Sequence, residues 1–483
     1  MAVELSRRHL VGQGALALSL AGFGLTASGA VRTGNRPKLP PFFDDLERRT
    51  FNYFWELANP RNGLIPDRWP TPSFASIAAI GFGLSAYIIG VERGWISRAA
   101  ARDRALLTLR FLATLPMGPD AHGVAGYRGF YYHFLDMETG LRHGQIELST
   151  VDTGLLFLGV LHAAQWFDRD EPAEAEIRRI ADFLVNRAEW TWFQHDGLGI
   201  PMGWHPESGF IDRIWDGYNE GKLVYLLALG SADHPVPPES WSVWTAPYPQ
   251  FWRGRGKFKR LAFAPIWPGQ YTEMWVDFRG ILDAPMRAAG FDYFENSRRE
   301  ALANHHWCAT NPMGWDGYAH DMWGLAACDG PGGHKVMYEG REVQFHGYAA
   351  RGPGDAPDGF DDGTLAPFAA IGMIPFVPQL AIDAGMAMWR RYGSRLYGRY
   401  GFLDAFNPSF KDTTLKVDHG TVDPASGWVG GDWLGIDQGA MLGMLANYRT
   451  ETIWRTMRKS PHIVRGLRRA GFAGGWLEQA GAA

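Results

Sequence analysis

Cysteine is almost missing from this chain: Cys308 and Cys328 are the two in 483 residues. A disulfide framework is therefore excluded, and one bridge or two buried thiols are the readings left. No Cys/His set has a zinc-ligand spacing. The stretches "DGPGG" and "PDGFDDG" do not follow the EF-hand pattern and read as turns. No metal or cofactor is expected. An excess of charge of one sign is also lacking, since 47 basic against 51 acidic residues leave a formal charge of -4. With the basic residues scattered, nucleic acid and acidic membrane surfaces are poor partners. The one basic run, "RGRGKFKR" at 253–260, reads as a solvated face, with contact to anionic ligand substituents as the alternative. No apolar run reaches the roughly eighteen residues of a membrane span. No Ser-, Gly- or Pro-rich tether divides the chain, so its length alone leaves one large body or two.

What is abundant is aromatic. The chain has 21 Trp, 17 Tyr and 29 Phe, whose flat faces suit the C–H faces of sugar rings; core packing is the better account of any single ring, but the excess in aggregate favours a carbohydrate ligand. The N-terminal "SRRHLVGQGALALSLAGFGLTASGA" pairs Arg7 with Arg8 ahead of a mildly apolar stretch that ends in small residues. It reads as a twin-arginine export signal over 1–30, giving a periplasmic or secreted protein. Twin-arginine cargo folds before export, which favours thiols over a disulfide.

Two kinds of helical segment alternate. "EPAEAEIRRIADFLVNRAEW" carries an apolar stripe at Ile177, Ile180, Ala181, Leu184, Val185 and Ala188, opposite charge. Similar amphipathic stretches lie at 98–115, 294–307, 381–396 and 452–470. Segments 73–90, 152–167, 220–230, 363–376 and 435–448 are instead nearly free of charge and rich in Gly, Ala and Ser, with 271–286 a weaker sixth. Helices apolar on every side are buried on every side, and small residues let backbones approach. The expected fold is all-α: an (α/α) toroid of six hairpins in one catalytic domain over 41–475, with long rim loops at 231–270 and 325–362. A short linker, 31–40, precedes it and a tail, 476–483, follows.

In such a toroid the inner helices run parallel and their N-terminal ends share one mouth. Asp152, Glu220, Glu273 and Asp437 stand at four of those ends, and Asp361 and Asp362 precede a fifth. Each acid alone could simply offset a helix dipole or cap free N–H groups. Several carboxylates gathered with aromatics on one rim fit a polysaccharide cleft better. Glycosidic cleavage needs a proton donor for the leaving oxygen and a second carboxylate that acts on water or on the anomeric carbon. Glu220, near Trp215, Tyr218 and Tyr225, has an aromatic neighbourhood that would raise a carboxyl pKa by burial, against the helix N-terminus. Asp404 lies in the loop "RYGFLDAFNP", where an Asx turn before Pro408 accounts for it equally well.

The motifs "GFYYHFLDMETG", "STVDTGLL", "GYNEGKLVYLLAL", "WGLAACDGP", "DGTLAPFAAIGMIPFVP", "YGRYGFLDAFNPS" and "GIDQGAMLGMLANYRT" occur in order over about residues 40–460. Together they resemble the glycoamylase-like domain of bacterial endo-β-1,2-glucanases. The resemblance implies a toroid hydrolysing β-1,2-glucan with inversion, Glu220 as general acid and Asp404 as general base. It also implies a supporting carboxylate at Asp152 and a substrate contact at Asp136. His133, Trp215, Tyr218, Asn219, Trp323, Asp362 and Asp437 complete the expected supporting or substrate-binding set. An inverting pair stands about 6.5–9.5 Å apart; a wider gap implies a water chain or substrate hydroxyl as relay.

Departures from the family pattern are Ala440 for a proline, Ala446 for an acid, and Gly221 and Lys222 where small or apolar residues are common. They bear on the substrate, because related domains act at chain ends, release disaccharides or transfer glycosyl units. A polysaccharide lyase and a glucan-binding factor without chemistry are the rivals. The first lacks a cationic cleft, and retention of both acids argues against the second.

Overall fold

The computed structural model describes residues 37–480. The expected export signal, with most of the linker, lies outside the described residues. The principal helices in chain order are α1 (Phe42–Leu57), α2 (Ile77–Glu92), α3 (Arg98–Thr114), α4 (Thr150–Trp166), α5 (Pro172–Asn186) and α6 (Lys222–Gly230). They continue with α7 (Tyr271–Trp275), α8 (Tyr293–Thr310), α9 (Pro367–Ile371), α10 (Pro378–Tyr392), α11 (Gly435–Thr450), α12 (Thr452–Met457) and α13 (Pro461–Arg469). Strands are two to four residues long and form small two- or three-stranded pieces, so helices carry the architecture.

The apolar and amphipathic classes separate as their patterns require. α2 is buried from Ile77 to Gly90 and α4 from Asp152 to Ala164, whereas α5 buries one stripe through Ile177, Ile180, Ala181, Leu184 and Val185. α2 packs between α4 and α11, α4 also meets α6, and α9 meets α11. The small residues let backbones touch: a Cβ on Gly159 would lie 2.1 Å from the Gly81 carbonyl oxygen, and one on Gly81 2.3 Å from that of Leu155. Side chains join the shorter elements, since Lys222 on α6 is paired with Glu273 on α7 at 2.7 Å and Gln270 donates to the carbonyls of Phe368 and Ala369 on α9.

Several expected elements are shorter than their apolar runs. The helix anticipated over 271–286 lasts five residues, because Val276 turns extended and Gly280 takes a left-handed φ of 74°. The run at 363–376 is helical only over Pro367–Ile371. The amphipathic stretch 452–470 breaks into α12 and α13, with Pro461 restarting the helix where a missing N–H costs nothing. Nor is 476–480 a loose tail: the helix Gly475–Gln479 buries Leu477 and Trp476 donates to the Asp277 carbonyl at 2.8 Å. Cys308 and Cys328 are separate buried thiols.

Short pairings fasten the loops before the helices to one another. Arg68–Trp69 runs antiparallel to Trp433–Leu434, immediately before α11. Ala75–Ser76, leading into α2, pairs with Phe134–Leu135, and Leu148–Ser149, leading into α4, pairs with Gly203–His205. The 404 loop is tied on both sides, Asp404 N–H to the Asp432 carbonyl at 3.0 Å and Leu365 with Phe406. Segments far apart in sequence thereby meet at the helix N-termini.

Candidate active site

A cavity of about 520 Å³ opens there. Its wall takes Ser76 from the start of α2, Val151, Asp152 and Leu155 from α4, Glu220 from just before α6, Tyr271 from α7, and Leu434 and Ile436 from the start of α11. The rings of Phe74, Phe134, Trp267, Tyr271 and Tyr348 supply apolar faces, and Asp67, Arg68 and His133 supply charge. The expectation that inner-helix N-termini converge on one mouth is met by these elements. Glu273, by contrast, faces away from it, buried against Lys222 and Ser297.

Glu220 caps no helix. α6 begins at Lys222 with Gly221 as its N-cap, and Asn219 shapes the turn, its Oδ1 accepting from the Gly221 N–H at 2.9 Å and its Nδ2 donating to the Asp216 carbonyl at 2.8 Å. The Glu220 side chain is half-buried on the cavity wall, and its Oε2 is sealed from solvent without a hydrogen-bond partner among the described residues. Tyr271 Oη and Trp267 Nε1, on the same wall, are likewise unpartnered. Buried polar atoms without partners are costly, so three on one wall mark a surface that a polyhydroxylated ligand would complete. Burial, reinforced by the Asp152 charge and opposed by Arg213 and a backbone hydrogen bond, pushes the Glu220 carboxyl up to about 7.

Beside it runs a chain of charges. His133 Nδ1 is 2.8 Å from Glu147 and Nε2 3.3 Å from Asp152. Burial alone would lower this imidazole, but Asp152, the bond to Glu147 and the Asp67 charge outweigh it and push His133 up to about 9. Asp152 also accepts from Ser149 Oγ at 2.6 Å, closing a reciprocal cap with its own N–H on that oxygen.

Across the cavity Arg68 pairs with Asp329 at 2.9 Å, and Asp329 donates its backbone N–H to Asp404 Oδ2 at 2.7 Å. Asp404 is 2% exposed and does not itself line the cavity, but it interacts by charge with Arg68 and Tyr348, which do. Burial raises its carboxyl, with the Asp329 charge adding; the adjoining Asp437 carboxyl, the hydrogen bond from the Asp329 N–H and the Arg68 charge hold it down. Asp437, at the third position of α11, is buried beside it.

Residues 213–461, just over half of the chain, match the Glycoamylase family model, described as "Putative glucoamylase". The chain belongs to the Glycoamylase family. A Bacteroides uniformis structure bearing the same description is 30% identical at a TM-score of 0.76, covering 91% of this chain and 100% of that one. The endo-β-1,2-glucanase of Chitinophaga pinensis, solved with sophorotriose and glucose, is 26% identical at a TM-score of 0.76 over 91% and 100% of the two chains. An exo β-1,2-glucooligosaccharide sophorohydrolase of Parabacteroides distasonis is 28% identical over 462 residues, 88% of this chain and 57% of that relative. The chain thus spans less than two thirds of the length of that curated relative.

Within this family member the expected site residues divide. Glu220, Asp152 and His133 lie on the cavity, and Asp404 and Asp437 stand together without lining it. Trp215 and Asn219 shape the Glu220 turn from below, Trp215 donating to Thr150 Oγ1 at 2.9 Å. Tyr218 points away to Glu300 at 2.7 Å. Asp136 is exposed and accepts three bonds from Glu138 and Thr139, making the Asx turn of its own loop. Trp323 packs on His305, and Asp362 forms a buried ion pair with Arg351 at 2.7 Å. Sequence reasoning passed over Arg68, Asp329, Trp267, Tyr271 and Tyr348. Asp329 sits inside the quoted "WGLAACDGP", but its role depends on the Cys328–Ala349 pairing that only folding makes.

Proposed function

We propose that this protein is an exported glycoside hydrolase that cleaves β-1,2-glucan with inversion, Glu220 protonating the departing oxygen and Asp404 receiving the proton of the attacking water. The carrying observation is Glu220: a carboxyl on an aromatic-lined wall, with an unpartnered oxygen, raised to about 7, holds the proton a leaving sugar oxygen needs. Asp404 does not line the cavity, so the proton reaches it along a relay, an intervening water or a substrate hydroxyl. The sophorose-releasing and endo-acting relatives support the substrate class, and both modes of cut fall within the reading. The contacts among the six apolar helices support the (α/α) toroid, and the paired arginines at 7 and 8 support export. Supporting residues around a non-catalytic cleft would not require an acid poised near neutrality.

The test is incubation of the mature protein with linear β-1,2-glucan and a panel of other glucans. Hydrolysis confined to the β-1,2 polymer, with α-anomeric first products, is the expected result. Products with a new ultraviolet-absorbing double bond would establish a lyase instead, and binding without cleavage a glucan-binding factor.

A further inference from the structure

Two buried carboxyls meet where the reading above needs one anion. Asp437 is 1% exposed, and both of its oxygens lack any donor among the described residues; Asp404 Oδ1 lacks one too, while Oδ2 is taken by the Asp329 N–H. The two side chains lie within hydrogen-bond reach of each other. Two adjacent carboxylates cannot both ionise in a buried setting, and a shared proton satisfies the facing oxygens of both. We propose that Asp437 is a positioning residue that keeps its proton and through it donates a hydrogen bond to Asp404, so that the pair carries one negative charge and Asp404 enters the reaction as the anion.

The surroundings assign the proton to Asp437. Asp404 has the Asp329 N–H and the Arg68 cation to stabilise a charge, whereas Asp437 faces Asp404, Asp329 and Asp67, all acidic, together with the hydroxyls of Tyr271 and Tyr348 and the Cys328 thiol. Burial and the Asp404 charge hold the Asp437 carboxyl well above the usual range. During turnover the water O–H bond breaks as its oxygen joins the anomeric carbon. That proton passes along the relay to Asp404, which becomes neutral, while the glycosidic bond from the anomeric carbon breaks, its electron pair staying on the leaving oxygen, which takes the Glu220 proton. The Asp437 proton stays in place, holding the base in orientation and keeping it anionic beforehand.

The inference rests on Asp404 as the base, and the test separates the two. In D437N an amide N–H replaces the acid O–H as donor; in D437L no donor remains. The acidic limb of kcat/KM is expected to stay near its original pH in D437N. In D437L it should move upward, each unit of movement costing about tenfold in rate on that limb, with KM little changed because Asp437 is off the cavity wall. Equal losses in both variants without a shifted limb would overturn the proposal. Independently of activity and of Glu220, the infrared difference between E220Q and E220Q/D437N near neutral pH should contain the carbonyl band of one protonated carboxylic acid. Its absence would also overturn the proposal. Normal turnover by D404N, with that band present, would remove Asp404 as base while leaving the shared proton standing.

Discussion

Asp329 and Asp404, 75 residues apart in the chain, are joined by a 2.7 Å hydrogen bond from the backbone of the first to the carboxylate of the second, while the Asp329 side chain holds Arg68 at 2.9 Å. One residue thus anchors the proposed base with its backbone and its nearest cation with its carboxylate. A substitution that keeps the Asp329 backbone removes only the second contact, so Asp329→Asn tests the cation and not the tether.

The pH profile follows from Glu220. An acid catalyst raised to about 7 is protonated below that pH and lost above it. The alkaline limb of kcat/KM should therefore fall near pH 7, and Glu220→Gln should lower kcat by about 10²–10⁴-fold. Thermal unfolding of that variant should match the parent below about pH 4.5 and lie above it at neutral pH, since burial disfavours the ionised carboxylate in the folded protein and Gln carries no such charge.

His133 ties pH to stability with the opposite sign. Its imidazole is raised in the folded protein from 6.5 to about 9, so its contribution is complete below about pH 6.5 and lost as pH rises through about 9. The difference in Tm between the parent and His133→Asn should be largest at mildly acidic pH and vanish above pH of about 9, as scanning calorimetry across that range would reveal. A constant difference would mean that the imidazole acts by packing alone.

Lys222 and Glu273 form a fully buried pair at 2.7 Å, with Tyr218, Phe278 and Tyr293 around the ammonium. Removing one partner strands the other, and Lys222→Met should cost about 3–5 kcal/mol in denaturant unfolding. Replacing both, Lys222→Met with Glu273→Gln, should recover much of that loss, since no unpaired charge then remains.

Close helix packing sets a steric prediction. Gly81→Ala would place its Cβ 2.3 Å from the Leu155 carbonyl oxygen, which backbone movement must relieve, at a cost of about 1–3 kcal/mol or more. Gly197→Ala, with nothing within 4 Å, is the control and should lie within about 0.5 kcal/mol of the parent.

The helix classes were legible because burial is a collective property that periodicity reports: α5 shows one apolar stripe and α2 shows none, being apolar all round. Helix lengths were less so. Tyr271–Trp275 stops inside an apolar run because Val276 and Gly280 take local backbone conformations that hydrophobicity does not encode. Within the site, Glu220 and Asp152 were visible as acids at the edges of charge-free segments. Asp136, named through the family resemblance, and Tyr218, named as a neighbour of Glu220, are instead consumed, one by its own turn and the other by Glu300.

Sequence alone determined the helical alternation and which acids stood where apolar helices begin, since each follows from residue type and spacing along one segment. Tertiary structure alone decided that Arg68, Asp329 and Tyr348 join those acids, and that Asp437 lies against Asp404. Charge interactions act across a few ångströms whatever the separation along the chain, so which carboxyls hold protons is settled only when distant loops are brought side by side.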